Sequence, residues 1–141
     1  MRDEVRQALM ITPSATMEER TVDITTTGRR SGQPRRIEIA FFRFDDSIYL
    51  SGVPRSTPRA WLLNLAAEPH FMFHLKHGVV ADLPATATVI TDPVERRRIL
   101  SRFVDEFNAR HTADSPWPRG DVDEWVRDSP LALVSFDETA D

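Results

Sequence analysis

Arg29, Arg30, Arg35 and Arg36 sit in and beside a turn with two glycines and a proline, written Thr25-Thr26-Thr27-Gly28-Arg29-Arg30-Ser31-Gly32-Gln33-Pro34-Arg35-Arg36. Glycine allows positive φ and close backbone approach, and proline fixes one φ and removes one donor. Such a turn projects guanidinium forks and free amides to one side, which suits a phosphate or carboxylate; taken alone it also reads as a solvated hairpin loop. A second group follows between Ser51 and Asn64. Arg55 and Arg59 flank an expected helix start, with Thr57 as its N-cap and Pro58 as its first residue. A helix start offers unpaired N–H groups and the positive end of the macrodipole to an anion. The Trp61 ring can lie beside a planar ligand or pack in the core, and the Asn64 amide can bind a ligand or cap a loop.

Few other residues offer chemistry unaided. The chain has no cysteine, hence no thiol nucleophile, thiolate metal site or disulfide. No Gly-x-Ser-x-Gly elbow occurs. His70 and His74, four apart on an expected strand, lie about 13 Å from each other, too far to share one ion, so no metal site is expected. His74 is the one candidate proton donor, with a partly exposed strand histidine as its plainer reading. Tyr49 is the only tyrosine and has no assignable role. Asp45-Asp46 and Asp123-Glu124 read as turn or solvated carboxylates. A bound organic cofactor would supply what these side chains lack.

The elements that must position these residues follow from periodicity. With 141 residues, 40% of them hydrophobic and 28% charged, the chain fits one globular domain. Residues 1–19 read as a helix over 2–10 and a lead-in, and residues 21–136 as a barrel. Strands are expected at 21–27, 35–44, 48–51, 70–76, 79–83, 85–90 and 131–136, from β-branched content and alternation. Helices are expected at 59–67, from 93 onward and at 121–128. Asp92-Pro93-Val94-Glu95 has the form of a capping box, and Ile99, Leu100, Phe103, Val104 and Phe107 form the apolar stripe behind it. The fold class is mainly β (α+β): a small antiparallel split barrel of six to seven strands with two to four flanking helices.

The net charge of −4 argues against a nucleic-acid partner. Residues 20–60 nevertheless hold eight arginines against four acidic residues, so a local basic site stands on an acidic chain. No run is long enough to span a bilayer and the first residues lack an apolar signal region, which points to a cytoplasmic address without membrane insertion.

The Thr25–Arg35 stretch, with Trp61-Leu62-Leu63-Asn64-Leu65 and Glu68-Pro69 after it, resembles the deazaflavin-dependent nitroreductase family of split-barrel flavin and deazaflavin oxidoreductases. The resemblance implies a reduced 8-hydroxy-5-deazaflavin coenzyme delivering hydride to a small unsaturated, quinone-like or nitro-bearing acceptor. It implies that Arg29, Arg30, Ser31 and Arg35 meet the phosphate and acidic tail, and that Ile39, Ala40 and Phe41 line the ring's pocket. Ser51, Pro58, Trp61 and Asn64 would border the coenzyme's other side. The chain departs from the family in having Arg30 where lysine is frequent and Ser51-Gly52-Val53-Pro54 where a lysine-bearing glycine loop is frequent; Arg55 stands in for that lysine. Two other readings remain: an FMN-binding reductase on the same barrel, and a non-catalytic lipid or fatty-acid carrier with Phe41, Phe42, Phe71 and Phe73 lining its pocket. Exposed barrel edges suggest a homodimer.

Overall fold

The computed structural model describes residues 1–116 and 118–137. Six strands form a closed antiparallel barrel: β1 (Thr21–Thr27), β2 (Pro34–Phe44), β3 (Ser47–Ser51), β4 (His70–Leu75), β5 (Ala81–Val89) and β6 (Leu131–Phe136), in the order β1-β2-β3-β6-β5-β4. The β1–β4 pairing, with Ile24 opposite Phe73, closes the ring. Alternation sends Val22, Ile24, Phe41, Leu50, Phe73 and Val134 into the barrel, where Phe41 meets Phe73 edge-on at 5.4 Å.

Five helical segments accompany the barrel among the described residues, one more than the expected maximum of four: α1 (Asp3–Leu9), α2 (Met17–Arg20), α3 (Ala60–Ala67), α4 (Pro93–Ala109) and α5 (Val122–Asp128). The additional one, α2, falls in the expected lead-in. Thr16 and Glu19 close a capping box around it, each backbone N–H donating to the other's side chain at 3.0 and 3.1 Å. Val5 and Leu9 of α1 join the barrel core, as do Trp61 and Leu65 of α3. A second apolar cluster lies outside the barrel, where Ile99, Leu100, Phe103 and Val104 of α4 and Trp125 of α5 pack on Phe44, Tyr49 and Leu131.

Three local expectations change. Residues 79–90 hold one strand rather than two, because Pro84 does not interrupt the ladder. Its carbonyl accepts from the Asp137 N–H (3.0 Å), so its missing donor also faces the β6 side, just past the end of that strand. Helix α3 starts at Ala60, with Arg59 rather than Thr57 in the N-cap position and no side chain capping it. At α4 the Asp92 carboxylate accepts from the Glu95 N–H (2.9 Å), but the Glu95 side chain turns to Arg98, so only half of the capping box forms. The strands are not paired over their full length: residues 34–40 of β2 pair with β1, whereas β3 takes up its pairing with β2 only from Phe41 onward. Residues 35–39 therefore carry a ladder on one side alone.

Candidate active site

The arginine-bearing turn is closed by its own backbone. The Gly28 N–H donates to the Gln33 carbonyl and the Gly32 N–H to the Gly28 carbonyl, both at 2.8 Å. Gly32 takes φ +71°, a conformation costly for other residues, and a Cβ at Gly28 would stand 2.6 Å from Ser31 Oγ. Ser31 Oγ accepts from the Gln33 N–H (3.1 Å) and from Arg35 Nη2 (3.2 Å), which aims the Arg35 fork back over the turn. The turn is tied to α3 by buried Asn64, whose Oδ1 accepts from the Arg29 N–H (3.0 Å) and whose Nδ2 donates to Thr26 Oγ1 (3.1 Å). The two segments singled out in the sequence thus meet at one end of the barrel.

Their arginines do not line one hollow, however. Arg55 and Arg59, with Pro58 and Leu62, face Arg96, Arg127 and Ser129 across a hollow of about 340 Å³ that includes Val89 and Ile90 at the β5 end. Arg29, Arg30 and Arg35 belong to the β1–β2 side of α3 and take no part in it. Burial lowers the Arg59 pKa from its ordinary value, and neighbouring Arg55 lowers it further. Arg29, Arg30, Arg35, Arg55 and Arg59 form no ion pair among the described residues. Arg36, Arg43, Arg97, Arg98 and Arg102 are by contrast each paired with a carboxylate.

A cavity of about 450 Å³ opens between the outer face of β2–β3 and helices α4 and α5. Its walls include Phe42, Phe44, Val53, Phe103, Phe107 and Trp125, and Ala40, Ser51, Gly52, Arg20, Arg43, Glu106, Arg110 and His111 also line it. Phe103 holds the wall together, meeting Phe42 and Phe44 edge-on at 4.8 and 4.9 Å. Ser51 Oγ donates to the Pro130 carbonyl (2.7 Å), so this residue braces β3 while its neighbours line the space.

Of the ring-pocket residues expected at 39–41, Ala40 alone lines this cavity. Phe41 is fully buried inside the barrel and Ile39 packs against the same inner cluster, because odd positions of β2 point inward. Trp61 likewise packs into the barrel core rather than beside a cavity. The carrier reading fares the same way: of its four phenylalanines only Phe42 lines this cavity, while Phe41, Phe71 and Phe73 belong to the barrel core. Arg20 escaped notice because a lone arginine ahead of a strand carries no motif. Phe103 and Phe107 stood in the stripe that reads as cover, and they are both cover and wall.

His74 has no ring nitrogen to spare. Nε2 pairs with Thr25 Oγ1 at 2.7 Å and Nδ1 with Asp82 Oδ1 at 2.6 Å, on the outer face of β1–β4–β5 and away from the cavity. The expected proton-donor role thus lacks both a free donor and proximity.

A closed six-stranded antiparallel barrel with flanking helices is the split-barrel fold. The model of the F420H(2)-dependent quinone reductase family matches residues 6–114, and the chain belongs to that family. Among solved structures, the chain resembles a conserved hypothetical protein from Mycobacterium tuberculosis (TM-score 0.64, 16% identity, covering 98% of this chain and 82% of that one). It also resembles a putative pyridoxamine 5'-phosphate oxidase from Listeria innocua (TM-score 0.59, 9% identity, 96% and 93%). An F420-H2 dependent reductase superposes with TM-score 0.51 at 18% identity, over 82% and 94% of the two chains. At these identities the likeness is one of fold. No curated protein matches the chain.

Proposed function

We propose that this protein is a reductase that uses the reduced 8-hydroxy-5-deazaflavin coenzyme to reduce a small unsaturated, quinone-like or nitro-bearing acceptor. The observation that carries the reading is that Asn64 ties the turn bearing Arg29, Arg30 and Arg35 to α3, whose start bears Arg55 and Arg59, all five without a carboxylate partner among the described residues, while Arg59 reaches Gly52 at the edge of the apolar cavity. Uncompensated guanidinium groups at a concave site are a resting place for phosphate and carboxylate. The residues fit the coenzyme: α3 opens without a side-chain cap, and the cavity of about 450 Å³ lies in the range of small-molecule sites.

In this reading Arg29, Arg30 and Arg35 hold the phosphate and acidic tail, with Arg55 and Arg59 supporting from α3's start. Ala40, Ser51 and Gly52 present short side chains or none to the ring, and so let it approach the backbone. The bound coenzyme supplies a hydride. The aromatic walls exclude water and hold a planar acceptor face-on, and its proton comes from solvent at the cavity mouth. Catalysis by the protein is then orientation and exclusion of water rather than acid–base chemistry.

Absorbance titration of the purified protein with the coenzyme, run beside FMN, tests this. Binding of the deazaflavin at tens of micromolar or tighter is expected. Normal FMN binding with no deazaflavin binding would replace the coenzyme, and a retained fatty acid with neither would replace the enzyme reading. The double substitution Arg29→Ala, Arg30→Ala should weaken coenzyme binding by at least about tenfold while leaving the melting temperature unchanged; unaltered affinity would remove the turn from the site.

A further inference from the structure

The cavity mouth holds a cation that hydride transfer does not use. Arg20, the last residue of α2, is 5% exposed and yet lines both the cavity and the surface groove beside Pro13, Glu106 and Arg110. Its Nη2 donates to the carbonyl oxygens of Pro13 (3.0 Å), Ala15 (3.3 Å) and, more weakly, Thr12 (3.5 Å). Its Nε and Nη1 donate to nothing among the described residues, and it forms no ion pair. Those two nitrogens are not sealed in protein either: among the described residues Ser129 Oγ is the only side-chain polar atom both fully buried and without a partner. They therefore open onto the space where the cavity meets the surface. The guanidinium stands over the Phe42 ring, 5.1 Å from its centroid, and that contact fixes its direction.

The surrounding charges compensate this cation only in part. Burial lowers the Arg20 pKa, Arg110 lowers it further, and Glu106 and Glu19 oppose the shift. The Glu19 carboxylate is engaged by the Thr16 N–H, and Arg43, the third arginine of the lining, is paired with Asp46, which leaves Glu106 as the lining carboxylate set against Arg20 and Arg110. Inside lie Phe42, Phe44, Phe103 and Trp125. One end of the space is flat and apolar, and the other offers unused N–H donors.

We propose that the cavity selects a planar aromatic or quinoid acid, with its ring system among these aromatic side chains and its carboxylate on Arg20 and Arg110. The inference rests on reading the cavity as the acceptor's site. Its test is direct binding to the coenzyme-free protein, by calorimetry, of 2-naphthoate and of its neutral counterpart 2-naphthylmethanol. Naphthoate should bind about tenfold or more tightly than the alcohol, since hydrogen bonds to a charged group outweigh neutral ones. Arg20→Met should abolish that preference without weakening the alcohol. Arg110→Gln, which leaves the 12–15 loop's carbonyl bonds intact, should reduce the preference at an unchanged melting temperature.

Equal affinities in the unmodified protein, no binding of either probe, or a preference that survives both substitutions would overturn the inference. Reduction of neutral quinones without any preference for the acid would sink it and leave the redox reading standing. Acid selection through Arg20 in a protein that binds no deazaflavin or flavin would do the reverse.

Discussion

Asn64 spends one amide on two segments. Its oxygen takes the Arg29 N–H in partly buried surroundings and its nitrogen reaches Thr26 Oγ1 in buried ones. Asn64→Ala would leave both groups unpartnered and should cost about 1–3 kcal/mol, read from the urea midpoint. Asn64→Asp keeps the acceptor and should cost less at the turn. The sequence marked Asn64 as a ligand-facing amide or a cap, and its actual partner, a backbone N–H 35 residues earlier, has no local signature. Asp23 supports a pH prediction of the same grain. Its carboxylate accepts from Lys76, which also pairs with Glu38, and from Arg36. The Lys76 hydrogen bond pulls the Asp23 pKa below its ordinary 3.8, partly offset by burial and reinforced by Arg36. A depressed folded-state pKa contributes stability that is fully present above the unfolded value and is lost as pH falls through the folded one. Asp23→Asn should therefore flatten the loss of stability on acidification below about pH 4, measured as urea midpoints across that range.

Strands and helices were the most legible level. β-Branched content and alternation place β1, β2, β3 and β6 to within a residue. Two misreadings have physical causes at their positions. Pro84 looked like a strand breaker, but its missing N–H costs nothing where no neighbouring strand faces it. Pro84→Ala should consequently leave the fold intact and change stability by no more than about 1 kcal/mol, through the unfolded chain, in chemical denaturation. Thr57-Pro58 reads as a helix start, and the chain instead bends at Ser56 and Thr57 and enters the helix only after Arg59, whose guanidinium lies across Gly52. Helix α4 shows how an element can serve core and cavity together. Phe103 touches Phe42, Phe44 and Tyr49 edge-on. Phe103→Ala should cost about 3–5 kcal/mol and loosen the cavity wall, so the loss of stability and weaker binding of an aromatic probe should appear together.

At the scale of the whole molecule the barrel is a ring with two plugs, α1 at one end and α3 at the other, both contributing to a single core cluster. Leu9 of α1 is 5% exposed within it. Leu9→Ala should cost about 2–5 kcal/mol in denaturant unfolding, far more than a surface helix substitution, and an effect under about 0.5 kcal/mol would show that α1 is not part of the cooperative unit. Charge distribution foretold which end of the ring bears the arginines, while the cavity wall was illegible because α4, α5 and β2 contribute to it from distant stretches of chain. The one-sided pairing along residues 35–39 of β2 has a consequence of its own. A naked strand margin invites neighbouring molecules to add themselves, rung by rung, into fibrils. Here that margin carries Arg35, Arg36 and Glu38, so an uninvited strand would have to bring matching countercharges to dock. The protein can thus keep one side of its wall unzipped next to the turn without becoming a seed for its own precipitation.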